Sequence, residues 1–482
     1  MNLIKSYYGF TAIAVLLFFT GMGLFLYTGN TWYFTIPFAG CLLPFLFNYT
    51  ITATEHIFWL MIVMLPLSAE LQVTDSLGLD FPDEPLLMLL TGFCIVKWIY
   101  KPADFPVTVF KSKVFMVIVL QVCWIVITSF FSMNPLLSVK FLLAKSWYII
   151  PFVLLFQVII KGKSDLIKLG NLLIIPMLFV VIQALIRHAF YSYSFEGIKQ
   201  TLYPFFRNHV NYSAMLVCLL VVLWAFQKLT PATSPRYKWI ITGLVIGLIG
   251  LMLSYSRGAW LALIMGIITV FAVERKYLLQ YWMVLIFSVA LVFSWLVYDH
   301  HYLQFAPDHD HTVFHTDFSE HLKATVTFKD VSNAERFYRW VAGIKMIAAK
   351  PVTGFGPNNF YQYYKPYASE LFKTWVSNNP DHSTVHNYFL LVALQQGIPG
   401  LILFVGLLTL LFYRLQKLYH RLQSAFYREL AMAAVVILMM ITTLIFLSDL
   451  IETDKIGSLY WLCAGVTIWL ENKLKEEQQS LA

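Results

Sequence analysis

Charge is scarce in this chain. Asp, Glu, Lys and Arg make up 12% of its 482 residues, against about 25% in soluble domains. With 59% hydrophobic and 17% aromatic residues, that scarcity excludes a soluble globular enzyme and implies a polytopic membrane protein. Cysteine is sparse as well. Cys41, Cys94, Cys123, Cys218 and Cys463 all fall in apolar runs. No pair has metal-ligand spacing and no disulfide framework is expected, so they read as packing residues. There is no Walker A or Rossmann glycine fingerprint, so no ATP or nucleotide-sugar is expected, and no cofactor is called for. The net charge of +8 invites a nucleic-acid reading, but topology accounts for it better.

A membrane span needs about 20 mostly apolar residues. Fourteen stretches qualify, near 8–28, 32–53, 56–72, 84–100, 112–131, 141–161, 165–188, 210–228, 237–255, 257–275, 278–298, 386–414, 428–449 and 456–472. The second, third and tenth are marginal, and one re-entrant or fused pair would make the total twelve. The first run, Tyr8 to Tyr27, lacks a small-residue cleavage site and reads as a retained span. The fold class is therefore all-α and polytopic, with 12–14 transmembrane helices and one long outer loop. Basic residues fill alternate connections: Lys97, Lys101, Lys111 and Lys113, then Lys161, Lys163 and Lys168, then Lys228, Arg236 and Lys238. Arg275 and Lys276, then Arg414, Lys417, Arg421 and Arg428, then Lys473 and Lys475 continue the series. The opposite connections are acidic or uncharged, as in Asp75, Asp80, Asp83 and Glu84, or Asp449, Glu452 and Asp454. The positive-inside rule then places both termini in the cytoplasm and the long loop outside.

That loop, from about Tyr298 to Val385, is the only long polar run. It divides the chain into a first helix bundle (1–298), the loop (299–385) and C-terminal helices (386–482). Within it, Ser332-Asn333-Ala334-Glu335 has the pattern of a capping box. Phe337, Val341, Ile344 and Ala348 recur at helical spacing, which predicts a short amphipathic helix over or beside the membrane. Pro351 would stop it, and Thr353–Pro357 reads as a glycine-rich turn.

The orientation gathers unusual residues at one depth. Arg207 precedes the eighth span, Arg257 sits in the tight turn between spans nine and ten, and Arg336 and Arg339 lie on the loop helix. Lys145 falls a turn or so below the outer end of span six, and His386 opens the twelfth candidate span. Charges at membrane ends often only snorkel to the interface, and that reading stands beside the functional one for Lys140 and Lys145. Arg257 lies in a turn too short to be a solvated loop, on the side where positive charge is otherwise scarce. The planar guanidinium suits bidentate phosphate binding, so several arginines at one face suggest a diphosphate. His386 could be a hydrogen-bonded structural residue. With Ser383 or Thr384 as N-cap it would stand in a helix's first turn, where the dipole disfavours the imidazolium and leaves a neutral ring able to accept a proton. Asp308, His309, Asp310, His311 and His315 look metal-like by composition, but their spacing fits no zinc motif and reads as a solvated loop.

Three segments carry a resemblance. They are Ser256-Arg257-Gly258-Ala259-Trp260, Arg336 through Trp340 leading into Pro351–Pro357, and His386-Asn387-Tyr388-Phe389-Leu390 with Gly397-Ile398-Pro399-Gly400. With Arg207-Asn208-His209-Val210-Asn211, they resemble the O-antigen ligase family of bacterial envelope glycosyltransferases over Phe206 to Gly400. That family includes polymerase-like enzymes and protein O-oligosaccharyltransferases. The resemblance implies a metal-independent, inverting transferase of the inner membrane, with its active site facing the periplasm. Its donor would be an undecaprenyl-diphosphate-linked glycan, and its acceptor a hydroxyl of lipid A–core. Carried over by position, His386 would deprotonate the acceptor, while Arg257 and Arg336 would hold the donor diphosphate. Arg207, Arg339 and Lys145 would assist in binding it. Many members have an acidic residue before the glycine matching Gly397, where this chain has Gln396.

Two alternatives share or replace this chemistry. A polymerase or a protein O-oligosaccharyltransferase would use the same residues on another acceptor. A lipid-linked-glycan flippase would place ionisable groups near mid-membrane and show repeats, and the sequence has neither pattern.

Overall fold

The computed structural model describes residues 53–74, 77–299, 301, 331–372, 377 and 384–481, together with Thr20, Gly21 and Thr28. The first two expected spans and the Asp308–His315 cluster lie outside the described residues, the former almost wholly. The chain is an all-α polytopic membrane protein. Among the described residues, eight helices are long and apolar enough to cross a bilayer. They are α3 (Lys113–Phe130), α4 (Pro135–Ile159), α5 (Lys163–Ala189), α6 (His209–Leu229), α8 (Arg257–Glu274), α9 (Leu278–Val297), α11 (Tyr388–Arg421) and α12 (Ala425–Phe446). Three more reach span length but carry charged ends: α2 (Asp83–Tyr100), α7 (Pro235–Met252) and α13 (Asp454–Leu481). The tenth expected span is therefore a full helix, α8.

The third expected span, 56–72, is corrected. Its helix, α1 (Ala53–Met64), is short. The chain then enters an antiparallel hairpin of β1 (Ala69–Thr74) and β2 (Leu77–Phe81). In Ala69–Thr74, Glu70, Gln72 and Thr74 alternate with Leu71 and Val73, a period of two that a span-length hydropathy window averages away.

At the centre stands α12, packed against α6, α8, α11 and α13. Small residues allow such close approach in lipid. A Cβ on Gly266 of α8 would fall 3.2 Å from Val436 of α12, and one on Gly247 of α7 would fall 2.6 Å from Leu220 of α6. The periphery has the inverse composition. Phe287, Leu291 and Val292 on α9 are exposed, with Ile264, Ile267 and Phe271 on α8. Hydrocarbon faces of this kind suit a bilayer and not water.

The twelfth expected span, 386–414, is not one straight helix. Gly397 takes φ 71°, ψ 179° within α11, a left-handed conformation that favours glycine. Tyr388 and Phe404 lie sixteen positions apart, which on a straight helix means about 24 Å. Their ring centroids are 5.0 Å apart. The chain therefore folds back at Gly397 into a short arm, 388–396, and a long spanning arm, 398–421.

Reversal strands the carbonyls at the end of the short arm, and non-helical backbone at membrane depth must be satisfied by protein. The 351–357 turn does so. Phe355 N donates to Leu394 O at 2.9 Å and Gly356 N to Gln395 O at 2.9 Å, while Ile398 N donates to Pro351 O at 2.8 Å. Trp124 Nε1 of α3 donates to Gln396 O at 2.8 Å. The two glycine–proline motifs of the sequence are thus complementary halves of one joint.

Candidate active site

The loop helix, α10 (Val331–Ala349), forms as expected, but two details differ. Ser332 is within the helix, and its side chain lies outside the described residues, while Glu335 pairs with Arg339 Nη2 at 3.1 Å and accepts from Ser377. The buried stripe is Glu335, Tyr338, Arg339, Val341, Ala342 and Met346, so of the expected face Val341 is buried while Phe337, Ile344 and Ala348 are not. The helix is turned because it packs against α11. Gly343 faces Val385 and Leu394, with contacts of 3.2 and 3.4 Å for a Cβ there. Phe337 and Trp340 look instead toward α9 and Phe446 of α12, where they line an apolar groove of about 380 Å³.

His386 precedes the short arm of α11. The N-cap is Asn387, whose side chain accepts from Leu390 N at 3.0 Å. His386 therefore stands outside the first turn and Thr384 is no cap, while Ser383, the other expected cap, lies outside the described residues. Thr384 is instead a junction. Its Oγ1 donates to Asp449 Oδ2 at 2.8 Å and accepts from His386 N at 3.4 Å, and its carbonyl accepts from Arg339 Nη1 at 3.3 Å. His386 holds φ +53°, an uncommon conformation for a side-chain-bearing residue.

Burial, then the charges of Arg339 and Arg336, push the His386 imidazole down from 6.5 to about 3. The ring is neutral, as expected, but burial and two guanidinium groups hold it so. Arg339 is itself buried, and its Nε has no hydrogen-bond partner among the described residues. Burial also raises Asp449 above the usual carboxylate range, while its bond from Thr384 and the charge of Arg339 oppose the rise.

Lys145 lies deeper than expected, because α4 begins at Pro135. Ten residues of helix put it about 15 Å along the axis. Its Nζ contacts Glu452 Oε1 at 2.8 Å and Tyr388 Oη at 3.2 Å. Tyr388 opens the short arm at that depth, so the His386 region is a recess below the α3–α4 turn and not a surface patch. Lys145 has its charge committed to Glu452.

Arg207 stands elsewhere. It is exposed, and it acts on Asp80 at the end of the hairpin together with Lys455. The Lys455 Nζ lies 4.6 Å over the neighbouring Phe206 ring and donates to Ser68 Oγ at 2.6 Å. Arg257 opens α8 after the four-residue turn 253–256. The adjoining Gly258 faces Leu444 and Leu447 at the end of α12, five residues or fewer from Asp449. Arg336, Arg339, His386 and Lys145 thus gather at the recess, Arg257 approaches along α12, and Arg207 sits with the hairpin.

The α12–α13 connection escaped the sequence reading. Asp449 anchors Thr384, Glu452 anchors Lys145, and Lys455 anchors Ser68. The available signal was four charges, Asp449, Glu452, Asp454 and Lys455, within seven residues that run from that connection into the start of α13. Among the described residues, no three of His, Cys, Asp and Glu are grouped to hold a metal.

A family model for O-antigen ligase matches residues 242–405. Over that stretch the chain is similar to the O-antigen ligase family. The match runs from within α7 to within the spanning arm of α11, so it includes Arg257, Arg336, Arg339 and His386 and leaves out Arg207 and Lys145. O-antigen ligase family members are glycosyltransferase-like membrane enzymes that act on lipid-linked glycans. No curated protein matches the chain.

Proposed function

We propose that the chain transfers a glycan from an undecaprenyl-diphosphate carrier to a hydroxyl of lipid A–core, at the periplasmic face of the bacterial inner membrane. The recess carries this reading: a half-buried imidazole beside two arginines, within the O-antigen ligase match. The acceptor oxygen attacks the anomeric carbon in line and inverts it. The bond to the diphosphate breaks, the carrier diphosphate leaves, and the acceptor proton passes to His386.

Arg336 and Arg257 meet the charge that develops on the leaving diphosphate. Arg339, tied to Glu335 and Thr384, fixes the His386 segment and adds to the field. Lys145 orients Tyr388 through its pair with Glu452, and Arg207 guides the donor from the hairpin side. The polyprenyl chain of the donor lies in the apolar groove between α9, α10 and α12. No metal takes part.

An imidazole held at about 3 accepts a proton poorly. A diphosphate docked on the arginines offsets their part of the depression and leaves the larger part, from burial, so donor binding raises the ring toward a competent base. That orders the reaction, with donor before acceptor, and protects the donor from premature attack.

Purified protein is mixed with an undecaprenyl-diphosphate oligosaccharide and, in parallel, lipid A–core, a Ser/Thr peptide, or donor alone. Each tube has a His386→Ala control and an EDTA control. Product with lipid A–core that is lost with the histidine and insensitive to EDTA is the expected result. Product in another tube reassigns the acceptor, and activity retained by His386→Ala removes the base.

A further inference from the structure

We propose that the end of the bundle opposite the His386 recess binds an anionic phospholipid, with its phosphate between Lys163 and Arg236 and an acyl chain between α5, α6 and α12. The site is remote. The 22 residues of α12 put Ala425 about 33 Å from Phe446.

Two adjoining cavities form the site. The outer one, of about 410 Å³, is lined by Lys163 and Ile167 of α5, Thr230 after α6, Arg236 of α7 and Ser424 before α12. The inner one, of about 90 Å³, is wholly apolar and runs past Leu169, Leu173, Val222 and Ala433. Phe226, Leu229 and Phe426 line both, so the two adjoin at these side chains.

The cations are placed on that shared wall. Lys163 Nζ lies 5.1 Å from the centroid of the Phe426 ring, and the Arg236 guanidinium carbon lies 5.5 Å from that of Phe226. Arg236 Nη2 also donates to Asn171 Oδ1 at 2.9 Å. Among the described residues, neither cation makes an ion pair. The nearby carboxylates are occupied: Asp165 accepts from Lys161 N and Gly162 N, Glu477 from Gln423 N and Ser424 N, and Glu429 pairs with Lys228.

A charged mouth leading into a wholly apolar slot selects an amphiphile. A free phosphate would leave the slot empty, and an unfilled slot forfeits dispersion contacts along its walls. A neutral lipid would leave two cations unanswered. This end also carries the basic connections, and basic pockets between spans on that side bind anionic headgroups.

The test uses the full chain equilibrated with vesicles of equal phosphatidylglycerol and phosphatidylcholine. Co-purifying lipid is counted by native mass spectrometry. The wild type should retain phosphatidylglycerol over phosphatidylcholine by about tenfold, and Lys163→Gln/Arg236→Gln should equalise them. Ala433→Leu fills the slot while leaving both cations, and should reduce retention of phosphatidylglycerol. Lys111→Gln/Lys113→Gln removes two charges at the same end and should leave the preference intact. If the double variant fails to fold, Lys163→Gln and Arg236→Gln singly should each cut the preference about threefold. Equal retention by the wild type, an undiminished preference in Lys163→Gln/Arg236→Gln, or an equal loss in the control pair overturns the site.

Discussion

His386 gives the sharpest test of the proposed chemistry. A fall from 6.5 to about 3 sets about 5 kcal/mol against protonating the ring. Burial is the largest cause, followed by Arg339 and Arg336. Arg336→Gln should therefore raise the imidazole without restoring it to 6.5, because the ring stays buried. A bound diphosphate brings opposite charge to the same place, and one such charge nearby moves a titration by about one to three pH units. With twelve histidines in the chain, the measurement is a difference spectrum of histidine-labelled protein against His386→Asn, titrated with and without a short prenyl diphosphate. The ring should titrate near 3 alone and well above it with the ligand, and the ligand effect should shrink in Arg336→Gln. In kinetics, kcat should lose activity on acidification at higher pH than kcat/KM for the donor, since the first reports the bound enzyme and the second the free one. A free-protein titration near 6.5, or one that ignores saturating diphosphate, would refute donor control of the base. The sign for stability follows from the same depression. Below pH 6.5 the unfolded chain takes up a proton that the folded chain refuses, so this group lowers stability progressively from pH 6.5 down to about 3.

Other consequences can be checked directly. Arg257→Lys keeps the charge but not the planar fork, and should cost at least about tenfold in transfer rate with expression unchanged. Near wild-type turnover would remove Arg257 from the donor site. Gly397→Ala places a Cβ 2.0 Å from Val352 O at a positive φ. It should destabilise by about 2 kcal/mol or more in thermal unfolding, since the left-handed backbone alone costs about 1–2 kcal/mol. Lys145→Met strands Glu452, and on the order of 3 kcal/mol should be lost, with much of it recovered in Lys145→Met/Glu452→Leu. Full additivity of those two changes would show the pair to be uncoupled. Thr384→Val removes the hydroxyl that bridges Asp449 and His386 N. It should reduce kcat far more than donor affinity, and equal losses in both would make Thr384 a purely structural residue.

Helix positions were largely legible because hydrocarbon imposes them. Runs expected at 112–131, 165–188, 210–228 and 278–298 appear as α3, α5, α6 and α9 within two residues. The α10 helix was legible for the same local reason, but its buried face was not. Phe337 and Trp340 are apolar enough to predict burial, yet they line a groove toward α9, while Glu335 and Arg339 go inside because they satisfy each other. Apolarity predicts which residues leave water, and not which neighbour they meet.

The fold-back at Gly397 shows the same limit more strongly. Hydropathy reads 386–414 as one span because both arms are apolar, and only the pairing of Pro351–Pro357 with Leu394–Gln396 reveals two. The resemblance pointed to both motifs as marks of function. Their contacts are those of a joint, and the joint has a functional consequence. By folding the arm back it lowers Tyr388 to the depth of Lys145, and so carries His386 below the bundle's end into the buried recess with Arg336 and Arg339. A straight helix would have left the imidazole at the interface, wet and near its ordinary titration. The glycine and proline residues thus act on the proposed chemistry through depth, because they set how far from water the proposed base stands.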